Sequence, residues 1–173
     1  QDLRHQAFCL QNLAVLAHWR RDYATALERF HEAVRTFQYL GNKPILAWLA
    51  LDLGELYLEL GATHRAQAMA QLSQELFTPQ NESSVALYGE LLRGRLATRD
   101  AKFLKAKHHF VKARQMAREM DRREDAAVAV LELARLDWSL GNAETAREML
   151  TSLGDMPAVK LEARKTLLLA EMA

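Results

Sequence analysis

Six histidines and one cysteine are the residues of this 173-residue sequence best suited to holding a metal or attacking a substrate. A zinc site on a helix needs two imidazoles at an i, i+4 spacing with a carboxylate close by, because only that spacing aims both ligands to one side. His108 and His109 are the only adjacent pair, and no two of the six have that spacing. Cys9 stands alone, which excludes an internal disulfide framework and a CxxC redox or metal motif and fits a reducing cytoplasm. It lies in an alanine-rich helical stretch, where a packed thiol is the simplest role. The phosphate-cradling GxGxxG and P-loop patterns and the GxSxG nucleophile elbow are absent. The expectation is a protein that is not an enzyme and carries no metal and no cofactor.

Charge offers one further chemical candidate. Lys and Arg number 23 against 22 Asp and Glu, so no global field draws the chain to nucleic acid or an anionic membrane. Locally, Arg99, Lys102, Lys105, Lys107, Lys112, Arg114 and Arg118 face only one acid, Asp100, between residues 99 and 118. A basic helix of that kind could contact phosphates, but such surfaces usually spread over more than one helix. A solvated outer helix is the plainer role, and nucleic acid is not the expected partner.

The elements that would position any site are helices. The sequence is 50% hydrophobic, 26% charged and only 8% aromatic, with 7 Gly and 3 Pro, which leaves little of the turn punctuation that an all-β fold needs. The uncharged stretch Ala7–Trp19 contains Gln11, Asn12 and His18 and falls short of the roughly 20 apolar residues that span a bilayer. The start at Gln1, without a signal pattern or an initiating Met, suggests a piece of something longer.

A repeat organises the chain. Ala14, Gly54, Gly94 and Ala134 recur with a period of 40, and so do Ala26, Ala66, Ala106 and Ala146. Four residues beyond the second set stand Phe30, Ala70, Phe110 and Leu150. Between the two small residues of each unit lies a helix stop at Arg21-Asp22, Gly61-Ala62, Asp100-Ala101 or Gly141-Asn142, which divides it into a shorter helix and a following one. Small residues at both positions let two backbones cross closely, and large apolar side chains fill the space around the crossing. A single hairpin cannot bury its whole apolar face, so the units must stack. Overpacking at Gly54 or Ala66 by leucine should therefore destabilise the fold by about 1 to 3 kcal/mol.

The motifs Leu53-Gly54-x-x-Tyr57, Ala26-x-x-x-Phe30 and Ala106-x-x-x-Phe110, together with Gly61 and Ala66, resemble the tetratricopeptide repeat. The resemblance covers nearly all of the chain and is strongest in the first two units; in the fourth, Asp137 stands where an aromatic is usual. A period of 40 instead of about 34 is similar to the variant with a long second helix found in large bacterial transcription activators, kinase-linked arrays and kinesin light chains. The resemblance implies an all-α, right-handed superhelical solenoid of antiparallel helical hairpins. We divide 1–173, as one array, into repeat one (1–41), repeat two (42–83), repeat three (84–124), repeat four (125–154) and the first helix of a truncated fifth repeat (155–173). Thr78–Ser84 ends repeat two early, with Ser83 or Ser84 as the next cap, and Gly154, Asp155 and Pro157 end repeat four and open the last helix.

In this family the first helices line an inner face that holds a partner protein, which makes the chain a scaffold or regulatory module. Carried over by position, that face holds Phe8, Trp48 and Tyr88, then Leu51, Leu91 and Leu131, then Glu55, Arg95 and Arg135, with Trp138 at its edge. The carboxylate clamp of the co-chaperones is disfavoured, since Gln11, Val15, Asp52, Tyr88 and Leu92 occupy its positions. An apolar or helical peptide flanked by Glu55, Arg95 and Arg135 suits the face better, and the resemblance implies that the chain is a module of a larger cytoplasmic, bacterial signalling or transcription-control protein. Two arrangements fit the pattern: an open docking groove, in which Leu91 and Leu131 are partly exposed and tolerate polar replacement, or an array coiled tightly enough to bury them. Leu161, Leu168 and Leu169 should leave an apolar strip on the last helix and favour self-association.

Overall fold

The computed structural model describes residues 2–77, 83–154 and 159–172. Among them are nine helices and no strand: α1 Leu3–Trp19, α2 Tyr23–Tyr39, α3 Lys43–Glu59, α4 Thr63–Leu76, α5 Ser83–Arg99, α6 Phe103–Glu119, α7 Arg123–Ser139, α8 Ala143–Ser152 and α9 Val159–Glu171. The expected break at 78–82 and the opening of the last helix at 155–158 lie outside the described residues.

From α1 to α8 each helix starts 20 residues after its predecessor. The expectation of a short first and long second helix is therefore corrected. In repeats one and three both helices have 17 residues, and in repeats two and four the second is the shorter, with 14 and 10. The even spacing follows from one turn used six times. At the first, the Arg21 N–H donates to the His18 carbonyl and the Asp22 N–H to that of Ala17, a Schellman closure around a left-handed residue. The same pair of bonds closes the turns at Gly41, Gly61, Ala101, Asp121 and Gly141, all with positive φ. In the first two turns the next residue caps the following helix: Asp22 Oδ1 accepts from the Thr25 N–H at 3.2 Å, and Asn42 Oδ1 from the Ile45 N–H at 3.2 Å.

Packing divides the chain within α5 into two compact units, 1–92 and 93–173. In the first, α1 pairs with α2, α3 with α4, and α2 also packs on α3. In the second, α6 and α8 pack against α7, and α9 covers α7 and α8. The repeat's small residues sit at these crossings, with Ala14, Ala26, Ala66, Ala106, Ala134 and Ala146 all fully buried. A Cβ at Gly94 would come within 2.4 Å of the buried Phe110 ring, so only glycine allows that approach.

The last helix corrects a second expectation. Leu161 and Leu168 are buried with Ala127, Leu131, Ala146 and Leu150, and Leu169 packs against that cluster. The strip expected to be bare is the contact by which α9 closes the end of repeat four. Arg147 donates to the carbonyl of Met172, and Lys165 to that of Gly154, tying α9 at its C-terminal end and at its middle. Of the leucines on α9, Leu167 is the exposed one.

Candidate partner-binding faces

The inner-face residues separate into two groups. Leu51, Leu91 and Leu131 are at most 4% exposed, so they belong to the core and the expectation of partly open leucines is corrected. A polar side chain at any of them would lose its hydration with no partner provided, and the fold would be damaged before binding was tested. Phe8, Trp48, Glu55, Tyr88, Arg95, Arg135 and Trp138 remain partly or well exposed.

In unit 1, α3 and α5 bring the rings of Trp48 and Tyr88 within 5.4 Å, tilted by 59°, and Phe8 meets Phe37 of α2 edge-on at 5.2 Å. Successive turns of α3 carry Asp52, Glu55 and Glu59 on the same side as Trp48. From α1, Gln11 hydrogen-bonds Asp52, and His18 Nε2 stands 3.0 Å from Glu59 Oε2. Burial pushes the Asp52 carboxyl up to about 6; the Gln11 hydrogen bond and His18 oppose the shift, and the neighbouring charge of Glu55 adds to it. This face combines aromatic surface with an acidic edge.

In unit 2 the charge is reversed. Glu132 of α7 is buried, and its Oε1 accepts from Arg95 Nη2 at 2.9 Å and from Arg164 Nη2 of α9 at 3.1 Å. Burial alone would raise this carboxyl, but Arg95 and Arg164, with Arg135 nearby, outweigh it and hold Glu132 below the usual range. Arg135 is exposed one turn away, and Trp138 packs partly against the α7–α9 core. Three guanidinium groups thus surround one carboxylate.

Glu132 lies two periods of 40 beyond Asp52, so the repeat itself could have pointed to it. Arg164 carried no such signal, because α9 is already helical at Val159, ahead of the 20-residue spacing of the other helices. The basic stretch of α6 is less free than its composition suggests. Lys107 Nζ lies 3.2 Å from the buried carboxylate of Asp137, the residue that replaces the repeat's aromatic, and Lys102 pairs with Asp100 at 2.8 Å. Among the described residues no group of three or more His, Cys, Asp or Glu is placed to hold a metal ion, and no helix is long and apolar enough to cross a membrane.

Residues 6–78 match the family model described as Tetratricopeptide repeat. Among solved structures the chain is similar to the apo form of RapI, with a TM-score of 0.72 over 96% of this chain at 11% sequence identity. That likeness shows a shared helical-repeat fold, and the chain spans 64% of the length of RapI. No curated protein matches.

Proposed function

We propose that this chain, which carries tetratricopeptide repeats over residues 6–78, holds a peptide or helix of another protein on the exposed inner faces of its first helices. The observation that carries the reading is the Trp48–Tyr88 pair, aromatic surface left partly open beside the carboxylates of α3. Rings of this kind give large contact area for little ordering cost and dominate binding energy where they can be covered. The acidic edge of α3 favours a ligand with basic side chains, and the arginines around Glu132 favour an acidic one. In this reading the chain recruits a partner and catalyses nothing. A cytoplasmic bacterial signalling or transcription-control protein is the setting we favour, on the 40-residue period.

The test is selection of peptides from a displayed library against the intact chain, followed by titration. Trp48→Ala and Tyr88→Ala should weaken the selected peptides about 10-fold or more while shifting the melt little. Arg135→Glu should weaken acidic peptides, and Lys105→Gln with Lys112→Gln should change neither class. Peptides that bind the Trp48, Tyr88 and Arg135 variants as they bind the wild type would overturn the proposal.

A further inference from the structure

One position of the repeat holds Val15, Glu55, Arg95 and Arg135 in turn, so its charge changes sign along the chain. In unit 2 it supplies a guanidinium group from α5 and another from α7, and α9 adds a third, Arg164. Arg95 donates from Nε and Nη2 to Glu132 Oε1 at 3.1 and 2.9 Å, and Arg164 from Nη2 at 3.1 Å. Arg135 acts on this carboxylate through its charge alone, and among the described residues no hydrogen bond or ion pair holds it. It is exposed.

Glu132 is ionised, because the arginines outweigh its burial, so it cancels one of the three positive charges and leaves two. Nearby acids of α7 and α9 do not remove that excess, since Asp125 pairs with Arg122, Asp137 with Lys107 and Glu162 with Lys165. A carboxylate side chain would neutralise only half of it. A phosphorylated side chain brings a charge of about −1.5 to −2 and three acceptor oxygens, which matches the excess. Guanidinium groups suit that anion because their N–H groups donate in parallel pairs to its oxygens. Arg164 spends only its Nη2 on Glu132, and its side chain is 31% exposed, so a ligand reaches its other donors. Glu132 also fixes Arg95 and Arg164 before a ligand arrives, which lowers the ordering cost of binding. Resting on the reading that the inner face of unit 2 holds an acidic peptide, we propose that Arg135 and Arg164, beside the Arg95–Glu132 pair, receive a phosphorylated side chain of that peptide.

The test uses three synthetic peptide mixtures with the same randomised flanks and phosphoserine, glutamate or serine at the centre, titrated against the intact chain by fluorescence anisotropy. The phosphoserine mixture should bind about 10-fold more tightly than the glutamate mixture, and the serine mixture most weakly. Arg135→Gln and Arg164→Gln should each erase the preference for phosphoserine over glutamate. Arg135→Gln lies at an exposed site and should not move the melt, and Arg135→Lys, which keeps the charge without the planar fork, should retain only part of the preference. Equal affinity for the phosphoserine and glutamate mixtures would overturn this proposal and leave the acidic-peptide reading standing, whereas no binding by any mixture would overturn both. A preference that survives Arg135→Gln and Arg164→Gln but is lost in Lys105→Gln with Lys112→Gln would put the phosphate on α6 and overturn it too. So would inorganic phosphate that binds as tightly as the phosphoserine mixture, which would make a free anion the ligand.

Discussion

Asp52 and Glu132 occupy the same position of the repeat, two periods apart, and the two units treat them in opposite ways. Asp52 is raised to about 6 because burial is opposed only by the Gln11 hydrogen bond and by His18, while Glu55 adds to the rise. Glu132 is lowered because two guanidinium groups reach the same oxygen. Position in a repeat therefore sets where a side chain points, and the neighbouring helices set its charge state. The difference lies first in Arg95 of α5 and then in Arg164, which α9 brings to unit 2 from outside the repeat spacing.

Removing the anion in unit 2 should give the largest effect. Glu132→Ala leaves Arg95 and Arg164, each about a quarter to a third exposed, turned toward one another with no carboxylate between them. A loss of roughly 2 to 4 kcal/mol in urea unfolding is expected, and a variant that unfolds at the wild-type midpoint would mean that Glu132 does not hold the pair together.

The two glycines at the helix crossings sharpen the comparison next. A methyl group at Gly94 meets three atoms of the Phe110 ring within 2.8 Å, whereas one at Gly54 meets the flexible end of Leu92 at 2.5 Å and Met69 Cβ at 3.4 Å. Gly94→Ala should cost about 2 kcal/mol. Gly54→Ala should stay within about 1 kcal/mol of wild type, because gained helix propensity offsets a small shift of Leu92. Equal melting temperatures for the two variants would break the distinction.

pH separates the carboxylates. Folded Asp52 keeps its proton up to about pH 6, while in the unfolded chain it ionises near 3.8. Between those values the folded state binds more protons, so this residue's contribution to stability falls as pH rises from about 4 to 6 and is constant above. Asp52→Asn should abolish that slope and leave the protein about 1 to 2 kcal/mol more stable than wild type at pH 7. Glu132, lowered in the folded state, has the opposite sign: its contribution is present above 4.5 and is lost as pH falls through its folded value. Denaturant midpoints across pH 3 to 8 for wild type, Asp52→Asn and Glu132→Gln check both slopes.

The smallest effect expected is in the turns. Unit 1 closes α3 to α4 with Gly61 at φ +74°, and unit 2 closes α5 to α6 with Ala101 at φ +56°, where a Cβ is strained. Ala101→Gly should therefore stabilise by about 0.5 kcal/mol, relief of strain exceeding the added freedom of the unfolded chain. A lower melting temperature for this variant would show that the turn tolerates alanine without strain.

Much of this protein was legible in its residues alone. Ala14, Gly54, Gly94 and Ala134, with Ala26, Ala66, Ala106 and Ala146, announce helix crossings because close backbone approach excludes larger side chains, a requirement that leaves a periodic mark. The helix stops were legible for a similar reason, since a left-handed residue followed by a capping residue is a local event. The openness of Leu51, Leu91 and Leu131 was not, because an apolar residue at helical spacing looks the same whether it faces a ligand or a neighbouring helix. Nor was the pairing of Lys107 with Asp137, or of Arg164 with Glu132, since each joins residues of different helices more than 25 positions apart. Composition and period determined that the chain would be stacked helical hairpins. Which side chains stay open, and which carboxylates keep their charge, was decided only when burial and neighbouring helices set the local hydration, a property of the packed structure that no stretch of sequence carries by itself.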